Sequence, residues 1–274
     1  QRQMCIRDRK NGQVGSMLNV IGVDEIKAFQ RIAVEDTRLG IPLIFGHDVI
    51  HGYKTIFPIP LAESCTWDMD LIKKTARTAA REASADGLNW TFAPMVDISR
   101  DARWGRVMEG AGEDPFLGSL IAKARVQGFQ GDNLSDISTI AACAKHYAGY
   151  GFSEAGRDYN TADFNHYTLQ NTILPPFKAA NDAGVKTFMN AFNTIDEIPA
   201  TGHKILQRDI LKKDWAFDGF IVSDWGSIEQ MIPHGFARDG NHAAELAILA
   251  GSDMDMESSC LLYTSPSPRD SIRS

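Results

Sequence analysis

Short apolar runs rich in β-forming residues alternate with longer segments of helical period along almost the whole chain. That alternation limits the fold more than any other feature. The runs cover residues 14–20, 42–47, 89–96, 138–147, 186–192 and 219–223, and the more polar segment 251–256 (GSDMDM) is read as the start of a seventh strand. Between them lie helical segments at 24–38, 68–88, 114–131, 166–183, 204–213 and 242–250. In the first of these Ile26, Phe29, Ile32 and Ala33 fall on one face. Asp68 or Asp70 is placed to cap the second, and Gly87 to end it. Pro175 and Pro176 must kink or divide the fourth. Strands and helices in this order predict an α/β protein with a parallel sheet. Seven strands in about 250 residues fit a (β/α)8 TIM-like barrel truncated before its last unit. A doubly wound open sheet is the alternative. No Gly-x-Gly-x-x-Gly follows any of the runs, which speaks against a dinucleotide site.

The 274 residues are 43% hydrophobic and 23% charged, ample for one large core. Net charge is -7 and no basic stripe is present, so nucleic acid is not an expected partner. No apolar run reaches the roughly 18 residues of a membrane span. Cys5, Cys65, Cys143 and Cys260 match no zinc spacing; Cys65 and Cys143 are expected to be buried apolar fillers rather than a disulfide. No cofactor and no metal are expected. Residues 1–9 (QRQMCIRDR) and 259–274 (SCLLYTSPSPRDSIRS) share no period with the body. Both resemble translated sequencing-adapter read-through; genuine flexible tails are the alternative. The expected division is a foreign or disordered segment at 1–10, one incomplete barrel domain at 11–258, and a second foreign or disordered segment at 259–274. The missing signal peptide then carries no information on location.

Polar residues gather where the apolar runs stop. Asp48 and His51 follow the second run, and Asp97, Arg100, Asp101, Arg103, Arg106, Glu109, Glu113 and Asp114 follow the third. Lys145 and His146 end the fourth, with Arg157 and Asp158 beyond, and Asp224 ends the sixth beside Trp225. In a parallel α/β protein these ends share one face. Charges of both signs on several strand ends suit a neutral, hydroxyl-rich ligand. Asp48 can accept hydrogen bonds from sugar hydroxyls, Arg106, Lys145 and His146 can donate them, and the apolar face of a sugar ring packs on an aromatic such as Trp225. Retaining glycoside hydrolysis needs a carboxylate nucleophile and a second carboxyl group about 5 Å away. Other readings stay open at this point. Asp224 can be a helix cap, Arg106 a salt-bridge partner of Glu109 or Glu113, and His146 a satisfied core histidine. Asp101, Arg103, Glu113 and Asp114 read as a loop network that shapes the cleft, and His47 and His51 as neighbours of the site.

The blocks IPLIFGHDVIHGYKTIFPIPLA, APMVDISRDARWGRVMEGAGEDP, AKHYAGYG followed by EAGRDYNTAD, MNAFNTIDEIPAT and GFIVSDWGSI carry a resemblance to glycoside hydrolase family 3, within it to bacterial periplasmic β-glucosidases. The resemblance covers residues 14–257. It implies that Asp224 is the catalytic nucleophile and that Asp48 binds outer sugar hydroxyls. Arg106, Lys145 and His146 are the implied donors around that sugar, with Asp158 orienting the basic pair. Trp225 is implied as an aromatic wall of the cleft, and Phe192 as a weaker candidate for the same role. It further implies a retaining exo-β-glucosidase acting on β-glucosides or gluco-oligosaccharides, located in the periplasm or outside the cell. The acid/base carboxyl would come from a missing C-terminal domain, so these residues alone would be inactive or very weak. The alternatives are a β-xylosidase of the same family, a catalytically incomplete sugar-binding fragment, and, more remotely, a Schiff-base aldolase on Lys145. The loop at 151–158 lacks the histidine of the family's β-N-acetylglucosaminidases, which argues against acetylglucosamine.

Overall fold

In a computed structural model the described residues are 14–257. The end segments at 1–10 and 259–274, with Cys5 and Cys260, lie outside them. The chain is α/β. Strand β1 (Ser16–Leu18) leads through helix α1 (Val23–Glu35) to β2 (Ile44–His47). A short helix α2 (Pro60–Ser64) and a long helix α3 (Met69–Ala85) come next, then β3 (Trp90–Thr91), α4 (Pro115–Gln130) and β4 (Cys143–Tyr147). Helix α5 (Leu174–Asp182), strands β5 (Thr187–Asn190), β6 (Thr194–Ile195), β7 (Ile198–Pro199) and β8 (Phe220–Val222), and helix α6 (Gly240–Ala250) complete it.

The helices form for local reasons that the chain states plainly. Asp68 caps α3 by accepting from Leu71 N at 2.9 Å, which decides between the two aspartates considered for that role. Ile72, Ala76, Ala79, Ala80 and Ala83 then form its buried stripe. Asp114 caps α4 with Pro115 at the first helical position, and Gly131 ends it at φ 59°. A Cβ on Gly128 would lie 2.6 Å from that of Ala76, so the glycine lets α4 press directly on α3. The two prolines do divide the fourth helical segment. A turn at His166–Thr168 and a π-helical stretch at Leu169–Ile173 precede α5, which carries both prolines in its first turn. The segment at Ile205–Asp214 is π-helical throughout.

Strands β1, β2 and β3 form one parallel sheet and β4, β5 and β8 another. Parallel bridges Trp90↔Ala141 and Met95↔Lys145 join the two. Side chains alternate between two cores, as strand geometry requires. Phe45, Ala144, Phe188 and Ile221 face the helices. Ile44, Trp90, Cys143, Met189 and Val222 meet in a second cluster with Leu18, Phe220 and Met254.

Three of the following details differ from the sequence expectations; the unclosed ladder is what a truncated barrel leaves. The seventh run supplies one bridge, Val222↔Met254, and no strand. The ladder does not close among the described residues: β1 and the Met254 segment meet through Ser16 Oγ and Met254 Sδ, 3.7 Å apart. A two-stranded antiparallel hairpin, β6–β7, follows β5. Its turn residues Asp196 and Glu197 both have positive φ, a turn that Asn-Gly normally announces. Cys143 is a buried free thiol, but Cys65 is exposed and fills no core. No helix among the described residues is long and apolar enough to cross a membrane.

Candidate active site

Three apolar stretches each stop at an aspartate: β2 at Asp48, the run through Met95 at Asp97, and β8 at Asp224. Strand β4 passes among them. Its pairing with β5 shifts register between Ala144 and Tyr147, which releases Lys145 and His146 from strict alternation and lets both side chains face the aspartates.

Lys145 Nζ donates to Asp48 Oδ1 at 3.1 Å and lies 3.9 Å from Glu109 Oε2. Arg106 forks onto the same Glu109, with Nε to Oε1 at 2.6 Å and Nη2 to Oε2 at 2.9 Å. Its guanidinium also lies over the Tyr150 ring, 5.6 Å from the centroid. The salt-bridge reading of Arg106 is therefore realised with Glu109 rather than Glu113. His146 is fully buried, and its backbone N–H donates to Asp97 Oδ2 at 2.8 Å. The ring Nδ1 lies 2.9 Å from the same Asp97 oxygen, and Nε2 lies 3.4 Å from Asp224 Oδ2 without the geometry of a hydrogen bond. Asp224 Oδ1 accepts from Trp225 N at 2.6 Å.

Burial governs the protonation of this cluster. It pushes Asp224 up to about 6 against the pull of Lys145, the Trp225 N–H and Arg106. It pushes Asp97 up to about 7 despite the His146 N–H, and it holds His146 well below its usual range, so the imidazole is neutral. One proton then sets the arrangement. With Asp97 ionised, Nδ1–H donates to Asp97 and the Nε2 lone pair faces Asp224. With Asp97 protonated, its O–H donates to Nδ1 and Nε2–H points at Asp224.

The other expected residues fall in different places. Trp225, next to Asp224 in the chain, is 53% exposed. Phe192 is 6% exposed and lies behind Tyr159, whose ring meets it edge-on at 4.6 Å. Phe192 is therefore packed beneath Tyr159 rather than presented to solvent. Asp158 does not orient the basic pair. It accepts from Trp104 Nε1 at 3.2 Å and lies beside the Tyr150 hydroxyl, while Asp97 holds His146 and Asp48 holds Lys145. His47 Nδ1 is spent on Asn19 and His51 Nδ1 on Phe57 O. Asp101 pairs with Arg103, Arg100 lies over the Phe152 ring, and Asp114 caps α4. Glu109 was legible as a partner of Arg106, whereas Asp97 was legible as a strand-end acid but not as the partner of His146. Among the described residues no group of three His, Cys, Asp or Glu is arranged for a metal ion.

A buried carboxylate with a raised pKa, opposed by two cations and a neutral imidazole, can attack an electrophilic carbon while the donors hold hydroxyls around it. The family model described as the Glycosyl hydrolase family 3 N terminal domain matches residues 5–263. The "Periplasmic beta-glucosidase" of Salmonella typhimurium is 42% identical over 247 residues, 90% of this chain and 32% of that protein. A "Beta-xylosidase" of Formosa agariphila is 36% identical over 261 residues, 89% of this chain and 36% of that protein. Among solved structures, the β-glucosidase from Listeria innocua in complex with isofagomine superposes with a TM-score of 0.88 at 46% identity, covering 91% of this chain and 35% of that one. The chain spans about a third of the length of the curated relatives it matches.

Proposed function

The chain belongs to glycosyl hydrolase family 3, and from that premise we propose that the protein it forms part of is a retaining, exo-acting β-glucosidase with Asp224 as nucleophile. The observation that carries the reading is the Asp224 carboxylate itself. It is 8% exposed, its Oδ1 is aimed by the Trp225 N–H, and Lys145, Arg106 and His146 surround it. Asp224 attacks the anomeric carbon as the glycosidic oxygen leaves with a proton, and water then hydrolyses the glycosyl ester from the same face. Asp48, Lys145 and Arg106 bind the hydroxyls of the sugar at the bottom of the site, and Trp225 borders it. Asp158 acts from the loop behind, through Trp104 and Tyr150.

We assign the acid/base carboxyl to a part of the protein beyond these residues. The carboxylates around Asp224 are already engaged: Asp48 with Lys145, Glu109 with Arg106, and Asp97 with His146. The inward-facing cluster drawn from all six parallel strands supports a (β/α)8 barrel as the complete architecture, with residues 11–258 as its N-terminal domain. A periplasmic or secreted location follows the Salmonella relative. A β-xylosidase is the second reading, favoured by the Formosa relative. Lys145 clasped by Asp48 and Glu109 suits a hydrogen-bond donor, and nothing in the geometry favours the aldolase alternative.

The test is proton NMR of the full-length protein acting on para-nitrophenyl β-glucoside and β-xyloside. β-Glucose as the first-formed product, released faster than xylose, is expected. α-Glucose would overturn retention, and faster release of xylose would select the second reading.

A further inference from the structure

Tyr159 has no role in the site as described, yet the chain goes to unusual lengths to hold it there. Its φ is 59°, a left-handed conformation that a bulky aromatic rarely adopts. The surrounding loop is over-determined. Ser153 bridges Ala162, Glu154 N donates to Thr161 O at 2.9 Å, and Ala162 N donates to Thr194 O at 2.9 Å. Gly156, at φ 69°, lies so near Trp104 that a Cβ there would come within 2.6 Å of its backbone nitrogen. Asp158, the neighbour of Tyr159, is tied to Trp104 Nε1 at 3.2 Å.

Burial of the ring is not the reason, because Tyr159 stays 48% exposed. One edge rests on Phe192 at 4.6 Å and a second contact reaches Tyr150 at 6.5 Å. Tyr150 in turn packs on His146 at 5.1 Å and lies under Arg106. A continuous line of rings thus runs from the buried donors out to Tyr159. The phenol answers to the same charges: it is pushed up first by burial, then by Asp158 and Asp224, and pulled back by Arg106. The site therefore has a buried floor, with Lys145 3% and Asp224 8% exposed, and a half-exposed rim that includes Tyr159 and Trp225.

We infer that Tyr159 is a substrate-binding residue whose ring forms part of the mouth of the Asp224 site and packs on the group attached to the bound sugar. The inference rests on the glycosidase reading above. In an exo-acting pocket the reacting sugar occupies the floor and the leaving group lies at the rim. An aromatic held in place by its loop offers a flat apolar face there at little entropic cost. Lys145 and His146 on the floor, with the more exposed Asp48 held by Lys145, recognise hydroxyls and are not the place of this contact.

The experiment compares full-length wild type with Tyr159→Gly and Tyr159→Phe. Glycine removes the ring and accepts the positive φ without strain. Kinetics are followed on para-nitrophenyl β-glucoside and on a β-linked glucose disaccharide, with competitive inhibition by glucose as the measure of the floor. The expected result for Tyr159→Gly is a fall of about tenfold in kcat/KM on both substrates, carried mainly by KM, with glucose inhibition changed less than about threefold. Tyr159→Phe should stay within about threefold of wild type. An unchanged KM in a Tyr159→Gly protein that melts like wild type would overturn the inference. So would an equal loss of glucose binding, which would put the ring on the floor. If Tyr159→Gly does not fold, Tyr159→Asn, which also tolerates left-handed backbone, is read by the same criteria. A wild-type protein that cleaves neither substrate overturns the glycosidase reading before any variant is made.

Discussion

Two sets of charges are buried among the described residues, and they are built on opposite plans. In the helical layer Arg125 and Glu63 stand almost alone, 3% and 6% exposed, with Nη2 and Oε2 3.6 Å apart. Arg125 donates to Ile50 O, and neither Glu63 oxygen finds a hydrogen bond. Burial lowers the Arg125 pKa and Glu63 opposes it. At the strand ends, by contrast, Asp48, Asp97, Glu109 and Asp224 share Lys145, Arg106 and a neutral His146. That cluster has more carboxylates than cations and reaches solvent through Asp48, whose side chain is 55% exposed. The helical pair is closed and spans α2, α4 and the segment after β2, so its function is position: it anchors the chain two residues beyond Asp48. The strand-end set is linked, unbalanced and accessible, the pattern in which perturbed pKa values gather at functional sites.

The comparison is sharpest where one partner is removed. Glu63→Gln leaves Arg125 buried without a counter-charge, and a loss of about 3–5 kcal/mol in unfolding free energy is expected. Chemical denaturation measures it; a loss under about 1 kcal/mol would mean that the pair holds nothing in place.

Asp97→Asn has a smaller effect with a distinctive pH signature. The folded pKa of Asp97 is raised to about 7 and that of Asp224 to about 6, both above the usual 3.8. Below about pH 4 folded and unfolded chains both keep these protons, and the fold bears no cost. Between about pH 4 and 7 the unfolded chain releases a proton that the folded chain retains, so stability falls as pH rises, and above 7 the loss is complete. Asp97→Asn should flatten that slope, while an asparagine oxygen can still accept from His146. A pH–stability curve identical to wild type would contradict the assigned protonation. The smallest effect is expected at Arg103→Ala, because the pair with Asp101 is on the surface and Arg103 is 71% exposed. Its thermal midpoint should match wild type, and a clear drop would mean that the loop after β3 depends on this pair.

The sequence showed what periodicity and polarity can show. The six parallel strands fall within the apolar runs, Asp48 and Asp224 end two of them, and Lys145 and His146 lie in the fourth. What it could not show was contact. Asp97 ends its run just as Asp48 and Asp224 end theirs, but only the bridge between Met95 and Lys145 brings it under His146. Asp158 follows the Lys-His pair closely in sequence and still turns away to Trp104, because Gly149 and Gly156, both at positive φ, redirect the loop. Phe192 and Tyr159 are both aromatic and lie near the same strand ends. Which one faces solvent depends on tertiary packing, and no pattern in either segment records it. The 251–256 segment alternates aspartate with methionine as a strand does, yet its one ladder bridge is at Met254.

The central claim is that Asp224 forms a covalent bond to the sugar. The most direct measurement is intact mass and peptide mapping of the full-length protein after reaction with a 2-deoxy-2-fluoro-β-glucoside bearing an activated leaving group, which slows turnover of the glycosyl ester more than its formation. One added fluoroglucosyl group on Asp224, absent in Asp224→Asn, is the predicted result. A label on another carboxylate, or hydrolysis of β-glucosides by Asp224→Asn at the wild-type rate, would contradict the account.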